Sequence, residues 1–166
     1  MKSKQFFTLF LVMAVVPLAL AFVVLKMGWF TPGATNKGQF VEAEINLSLP
    51  HDKPTWSLVY QPGSLCDQVC QEQLYSLNQA HIALGKLQKR VSAFVLGEER
   101  DLSEFKHLVA EPQQEAQLDR HYIYLVDPFG KAILKYAGSS DRQKTIQTSK
   151  DIIADVKKLL NYARIG

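Results

Sequence analysis

The two cysteines of this 166-residue chain, Cys66 and Cys70, are its clearest candidates for chemistry. A spacing of i,i+4 puts both on one face of a helix, close enough to form a bridge after a modest local adjustment. A bridge that closes so short a loop removes little chain entropy, so stability alone is a poor reason for it. The pair therefore indicates thiol redox chemistry or metal binding, and a structural disulfide is the alternative.

The segment that carries the cysteines is typical of a strand, a turn and a helix. Residues 56–60 are a short apolar run, a Pro-Gly turn follows, and apolar side chains recur at helical spacing over residues 65–88. Ser64 and Asp67 resemble a capping box, which predicts the start of the helix. A helix N-terminus favours a thiolate, whereas the carboxylate of Asp67 disfavours it by like-charge repulsion, so the two effects oppose each other.

The rest of the pattern predicts an α/β fold with a thioredoxin-like mixed sheet flanked by helices. The first half of the pattern is a parallel strand–helix–strand unit, and two later strands form a hairpin that adds antiparallel strands to it. This combination is the thioredoxin arrangement. A weak alternation over residues 41–55 indicates an additional edge strand. The further predicted elements are a strand at 90–97, a short helix at 101–109, strands at 122–126 and 132–137 joined by an Asp-Pro-Phe-Gly turn, and a final amphipathic helix at 141–163.

Two thiolates favour a soft metal such as Cu(I) or zinc, and histidine is the usual third ligand. His81 lies three helical turns beyond Cys70, about 16 Å along the same helix, so it is too far away to share a metal with that thiol. His51 belongs to a proline-rich loop, and the sequence does not locate His107. His121 opens the third core strand, whose start faces the cysteine helix in a thioredoxin-like layout. His121 is therefore the best candidate for the third ligand.

The N-terminal segment predicts a single membrane span. Residues 6–25 carry no charge, and a bilayer core needs about 20 apolar residues in a helix. Lys2 and Lys4 precede the run, and positive charge stays on the cytoplasmic side. We therefore expect residues 1–5 to be cytoplasmic, residues 6–26 to be a transmembrane anchor and the rest of the chain to be exported.

A cleaved signal peptide is the alternative for this segment. Ala19-Leu20-Ala21 resembles a cleavage site, but the apolar run continues past it to Leu25. In the anchored interpretation, residues 27–50 form a linker with an edge strand, and residues 51–166 form a thioredoxin-like periplasmic domain.

The charge of the chain belongs to its N-terminal segment. Lys2, Lys4 and Lys26 account for the whole formal charge of +3, and the remaining chain carries 16 basic and 16 acidic side chains. A nucleic-acid-binding domain carries its excess of positive charge on the folded part. The composition therefore argues against nucleic acid as a partner. The membrane remains an expected partner of the N-terminal segment.

Two motifs carry a resemblance to a known family. Cys66-Asp-Gln-Val-Cys70 after the first core strand and Tyr124-Leu-Val-Asp-Pro-Phe-Gly-Lys131, behind a membrane anchor, resemble the Sco/SenC family. Members of that family are membrane-anchored thioredoxin-fold proteins that bind copper and help to assemble the CuA centre of cytochrome c oxidase. The chain resembles a short, divergent member of the kind associated with bacterial oxidases.

The resemblance implies a cofactor, partners and site residues. It implies copper held by Cys66, Cys70 and His121, with the CuA-bearing subunit of cytochrome c oxidase as partner. It also implies a single-pass protein of the bacterial inner membrane with its C-terminal domain in the periplasm. The thiol pair would then act by binding copper or by reducing cysteines of the partner. The alternatives are a general thiol–disulfide reductase and a non-catalytic oxidase-associated protein with a structural disulfide.

This chain departs from the family pattern at three positions. The family usually has proline after each cysteine, where this sequence has Asp67 and Gln71. The family's histidine falls at Asp119, two residues before His121. A displacement of two residues keeps a side chain on the same face of a strand, because side chains alternate with a period of two.

Overall fold

The computed structural model describes residues 3–28, 35–50, 55–97 and 101–162. The chain divides into two compact units, Met1–Thr35 and Asn36–Gly166. The first unit contains the helix α1, Ser3–Lys26, which continues through Pro17. α1 is long and apolar enough to cross a membrane over Lys4–Lys26. Lys2 and His51 lie outside the described residues.

The second unit is a six-stranded mixed sheet flanked by helices. The strands lie in the order β1-β6-β5-β2-β3-β4. β2, β3 and β4 are parallel to one another, whereas β5 is antiparallel to β2 and to β6. The elements are β1 Gln39–Phe40, β2 Trp56–Tyr60, α2 Gln68–Ala83, a 3₁₀ helix Gly85–Arg90, β3 Val91–Leu96, β4 Val109–Glu111, β5 Tyr122–Val126, β6 Ala132–Ala137 and α3 Arg142–Tyr162. The predicted thioredoxin-like fold class is confirmed.

Both faces of the sheet are covered, which explains why every residue of β2 is buried. Leu58 faces one core together with Leu77 of α2 and Ile152 of α3. Val59 points to the opposite face and packs in a second core that includes Ile45. The central strand β2 is therefore fixed between the two cores. Its end sets the position of the loop that leads to the first turn of α2.

The edge strand expected over residues 41–55 is wrong in position. The strand β1 covers Gln39–Phe40, and after it a bridge joins Asn46 to Lys131. Main-chain hydrogen bonds also join the segment to the β5–β6 hairpin, from Val41 N to Ile133 O, from Leu47 N to Gly130 O and from Ala132 N to Ile45 O. Ile45 and Leu47 are buried while Asn46 between them is exposed. The alternation in the sequence reflects an extended segment along the edge of the sheet, whose side chains Ile45 and Leu47 turn into the second core while Asn46 faces solvent.

The short helix predicted at 101–109 is also wrong. Two turns occupy this segment, closed by hydrogen bonds from Phe105 N to Leu102 O and from Leu108 N to Phe105 O. Asp101 Oδ1 accepts a hydrogen bond from Ser103 N at 2.9 Å, and such local bonds compete with a helix. The turns lead into β4, which pairs with β3. Apolar residues spaced by three fit successive turns as well as a helix, so periodicity could not separate the two.

Candidate functional site

The first turn of α2 and the residue before it hold the cysteine pair. Asp67 is the N-cap of α2, and its Oδ1 accepts a hydrogen bond from Cys70 N at 2.9 Å. The helix therefore begins at Gln68, and the predicted start near Ser64 is wrong. Cys66 lies outside the helix, so the two cysteines do not share a helical face. Asp67 acts as the cap in place of Ser64, because its carboxylate accepts a hydrogen bond from a main-chain N–H of the first turn.

Cys66 and Cys70 form a disulfide, with their Cα atoms 5.1 Å apart. Cys70 is buried, with 4% of its surface exposed, and belongs to the same core as Leu58 of β2. Cys66 is half-buried and packs against the edge of the same core. The bridge thus joins one residue that faces the interior to one that solvent and a partner protein can reach.

A depression of about 510 Å³ lies beside the bridge. Its wall includes Leu65, Cys70, Arg120 and His121, which come from the loop after β2, from α2 and from the segment before β5. Leu65 is 88% exposed, which is unusual for a leucine next to a disulfide. The depression therefore combines an apolar side chain, a basic side chain and an imidazole next to the bridge.

The main chain of His121 is fixed from both sides. Its carbonyl oxygen accepts hydrogen bonds from Gly138 N at 2.8 Å and from Gln73 Nε2 at 2.9 Å. Its N–H donates to Asp119 Oδ1 at 2.9 Å, and its Nδ1 lies 3.9 Å from the same oxygen. The imidazole itself is 64% exposed. The structure thus brings His121 to the depression that Cys70 also lines.

The donor set for a metal is present only in part in this state. Within the described ranges, no three His, Cys, Asp or Glu residues are grouped so that they could hold one metal ion. The sulfurs of Cys66 and Cys70 are bonded to each other, so neither is a thiolate. The roles of Cys66, Cys70 and His121 as metal ligands stay a prediction that applies to the reduced protein.

The other histidines lie elsewhere. His81 is buried at the end of α2, and its Nε2 is 2.9 Å from Val91 O. His107, in the turns before β4, has its ring centroid 5.9 Å from that of His81. Neither lines the depression beside the bridge.

Two residues of the site were missed by the sequence analysis. Arg120 lines the depression beside the bridge and also a second depression of about 360 Å³. Gln73 is 1% exposed and connects α2 to His121. A signal for Gln73 was available, since it is a polar residue one turn after Cys70 on the face that the apolar pattern buries. For Arg120 no such local signal exists.

The second motif of the resemblance forms the β5–β6 turn. Asp127 Oδ1 accepts hydrogen bonds from Phe129 N at 2.8 Å and Lys131 N at 2.9 Å. Gly130 has φ +91°, and a Cβ there would overlap the main-chain oxygen of Leu47. This motif shapes the hairpin that supports the site, and it does not line the depression.

The model of a family described as "transmembrane-like, thioredoxin-like, C-terminal domain" matches residues 56–163. The chain belongs to this family. The match covers β2 to the end of α3 and includes both cysteines. Together with α1, it indicates a single-pass membrane protein. None of the curated proteins matches the chain.

Solved structures of this fold include Sco proteins. Apo Sco1 from Thermus thermophilus is 16% identical, with a TM-score of 0.50 over 78% of this chain and 99% of that one. ScoI from Bradyrhizobium japonicum with copper bound is 22% identical, with a TM-score of 0.46 over 64% and 85%. The thioredoxin domain of a Bacteroides vulgatus thiol-disulfide oxidoreductase is 17% identical, with a TM-score of 0.36 over 64% and 80%. The likeness to Sco1 confirms the resemblance at the level of the fold.

Proposed function

We propose that this transmembrane-like, thioredoxin-like protein assists assembly of the CuA centre of cytochrome c oxidase by thiol–disulfide exchange at Cys66 and Cys70. The observation that carries the proposal is the bridge between a half-buried and a buried cysteine at the start of α2, beside a depression that includes His121. The thiol pair is the part of the Sco resemblance that this chain retains best.

A purely structural bridge is the weaker explanation. Closing a loop of five residues removes unfolded-state entropy worth about 2 kcal/mol, against about 4.7 kcal/mol for a loop of 100 residues. Residues 67–70 are already held by the N-cap hydrogen bond of Asp67. The bridge therefore stabilises the fold less than a long-range bridge would, and its position at a helix N-terminus suits a reactive pair.

The difference in burial supports an order of attack in the reducing direction. The Cys66 thiolate attacks one sulfur of a disulfide in the client, and the other client sulfur leaves as a thiolate. The Cys70 thiolate then attacks the Cys66 sulfur, and the client's remaining sulfur leaves as a second thiolate. Two electrons pass to the client, which becomes a dithiol, and the Cys66–Cys70 disulfide forms. An exported thiol reductant has to restore the pair.

Copper is the cargo in the second half of the proposal. Once reduced, Cys66 and Cys70 supply two thiolates, and His121 supplies a neutral imidazole, which is a donor set suited to Cu(I). The exposed imidazole of His121 has room to turn towards Cys70 across the depression that both residues line. Reduction therefore comes before metal binding at this site, because the two sulfurs become thiolate ligands only when the disulfide is broken.

The proposed location follows from the anchor and from the bridge. The N-terminus lies in the cytoplasm and the C-terminal unit lies in the periplasm of a bacterial inner membrane, where disulfides form and persist. The client is the CuA-bearing subunit of the oxidase, which shares the membrane with α1. The Sco resemblance supports this choice of client, and the formal neutrality of the chain after residue 26 is consistent with a protein client.

The test is a trapping experiment in cells that lack the native gene copy. The Cys70→Ser variant should accumulate a mixed disulfide between Cys66 and the oxidase subunit on non-reducing gels, because the second attack is blocked. The Cys66→Ser variant should give much less of it, and both variants should lower oxidase activity. Normal oxidase activity with the Cys66→Ser/Cys70→Ser double variant would contradict the proposal and favour the non-catalytic alternative. Trapping of many unrelated proteins would favour a general reductase.

Copper binding is tested separately on the reduced full-length chain in detergent. In an anaerobic Cu(I) titration, Cys66→Ser should bind one equivalent fewer than the unchanged protein. His121→Ala should weaken that equivalent by at least about tenfold, since it removes one ligand of three. Equal stoichiometry and affinity in the protein and in Cys66→Ser would leave thiol exchange as the only role of the pair.

A further inference from the structure

The histidine at the end of α2 has a defined tautomer. His81 Nε2 lies 2.9 Å from Val91 O, and a carbonyl oxygen can only accept a hydrogen bond. Nε2 therefore carries the proton, and Nδ1 of the neutral ring carries a lone pair. Nδ1 is buried and has no hydrogen-bond partner in the part of the chain that the structure describes. A buried acceptor without a partner is costly and calls for an explanation.

The pKa of this ring is lowered from its ordinary value, chiefly by burial. Burial lowers the pKa of His81 below its ordinary value, the hydrogen bond to Val91 raises it, and the nearby His107 lowers it. A neutral imidazole whose N–H is held by a backbone carbonyl is the usual state of a histidine that binds a metal. The hydrogen bond of Nε2 to Val91 O therefore leaves the lone pair of Nδ1 available to a metal ion.

A second imidazole lies next to it. The ring centroids of His81 and His107 are 5.9 Å apart, and the ring planes are inclined by 43°. Metal–imidazole bonds of about 2.0 Å place the centroids of two rings that share a metal in a near-linear arrangement about 6 Å apart. His107 is exposed, so an ion can reach the pair from solvent.

We propose that His81 and His107 form a Cu(I) site that is separate from Cys66 and Cys70. Among the described residues, no group of three His, Cys, Asp or Glu includes this pair, so the two imidazoles are the ligands that these residues offer. Cu(I) accepts two nitrogen ligands in a line, whereas zinc binds four ligands and hard cations prefer oxygen. Three turns of α2 separate His81 from Cys70, so the two sites cannot share one ion.

The structural consequence is a link between two segments. His81 belongs to the last turn of α2, and His107 belongs to the turns that lead into β4. A shared ion would hold these turns against the helix end, next to Leu108, which is buried. Binding should therefore reduce the mobility of residues 101–108, and the Nδ1 lone pair of His81 should be donated to the metal.

The test uses the full-length Cys66→Ser/Cys70→Ser variant in detergent, so that the cysteines contribute nothing. An anaerobic Cu(I) titration against a chromophoric chelator at pH 7.5 should show one bound Cu(I) per chain. Adding His107→Ala should lower the affinity by at least about tenfold, since one of two ligands is lost. His107 is exposed, so this change should not disturb folding. Adding His51→Ala, which removes a histidine that belongs to neither site, should leave the affinity unchanged.

The role of His81 is followed without mutating it, because a change at a buried residue can unfold the protein. In ¹⁵N-labelled protein, Cu(I) should shift the Nδ1 resonance of His81 and leave its Nε2 protonated. The proposal is overturned by less than one bound Cu(I), by unchanged affinity in His107→Ala, by an equal loss in His51→Ala, or by an unmoved Nδ1 resonance. None of these outcomes depends on the thiol chemistry of Cys66 and Cys70.

Discussion

The side-chain amide of Gln73 donates a hydrogen bond to the main-chain oxygen of His121, with Nε2 and O 2.9 Å apart. Gln73 is buried in α2 one turn after Cys70, and His121 precedes β5. The same oxygen accepts a hydrogen bond from Gly138 N, just after β6. This one oxygen therefore fixes the spacing between the helix that carries Cys70 and the sheet end that carries His121.

We expect Gln73→Leu to destabilise the protein by about 1–2 kcal/mol, because the partly buried hydrogen bond to His121 O is lost. Denaturation of the full-length chain in detergent measures this change. Gln71→Leu is the matched control, since Gln71 is an exposed glutamine of the same helix, and it should change stability by less than about 0.5 kcal/mol. Equal effects of the two substitutions would show that the hydrogen bond contributes nothing.

Gly138→Ala should disturb the same contact from the other side. A Cβ at residue 138 would overlap the Gln73 amide, so the side chain has to move away, at a cost of about 1–3 kcal/mol. Adding Gly138→Ala to Gln73→Ala should cost clearly less than adding it to the unchanged protein, because no amide is left to displace. A double-mutant cycle measures this coupling, and additive free energies of unfolding would contradict it.

Asp67 has two separable effects, as a helix cap and as a charge. Asp67→Ala removes the acceptor for Cys70 N and should cost about 1 kcal/mol, whereas Asp67→Asn keeps an acceptor and should cost less. Both changes remove a negative charge beside Cys66, which favours its thiolate. The reduced Asp67→Asn variant should therefore react several-fold faster with iodoacetamide at pH 7. An unchanged rate would mean that the carboxylate does not influence the thiol.

The stability of the protein should fall as the pH drops below the ordinary pKa of histidine. The pKa of His81 is lowered in the folded state, chiefly by burial, so the unfolded chain binds a proton first, at about pH 6.5. The contribution of His81 is complete above that pH and is lost as the pH falls from there towards the folded-state pKa. Denaturation midpoints at pH 7.5, 6 and 5 measure this loss. His81→Gln keeps a donor for Val91 O and should show a shallower slope; an equal slope would assign the loss to other groups.

Asp155 of α3 should hold the start of the C-terminal unit in place. Its two oxygens accept hydrogen bonds from Lys37 N at 2.9 and 2.8 Å, and Oδ2 also accepts from Gly38 N at 2.8 Å and from the Tyr136 hydroxyl at 3.0 Å. Burial and the nearby carboxylate raise the pKa of Tyr136 far above its usual range, so its hydroxyl stays a donor. Asp155→Ala leaves all three donors without this acceptor and should cost about 3 kcal/mol or more.

The release of Lys37 gives a local measurement of the same contact. The Lys37 side chain is exposed, so trypsin should cut after it faster in Asp155→Ala, once its main chain is no longer held. Tyr136→Phe removes one of the donors and should cost about 1 kcal/mol. Cleavage at an unchanged rate in Asp155→Ala would show that other contacts hold this segment.

Local patterns were enough for much of the fold. The uncharged run of residues 6–25 predicted α1, and the strands β2, β5 and β6 were found from short apolar runs between turn residues. The amphipathic pattern predicted α3 to within a residue at each end. Each of these signals is contained within one element, so the chain itself carries it. For residues 101–108 the local pattern was not enough, because apolar residues spaced by three fit successive turns as well as a helix.

The sequence by itself determined the long apolar helix α1, the core elements β2, α2, β3, β5, β6 and α3 in their order, and the cysteine pair, because hydropathy and residue spacing are local properties. Only the tertiary structure decided that Cys70 is the buried partner, that Asp67 caps α2 and that Gln73 reaches His121 across 48 positions of the chain. The same holds for His107, whose meeting with His81 depends on how the turns before β4 pack against the end of α2. Contacts of this kind are set by strand register and side-chain packing, which no short stretch of sequence contains.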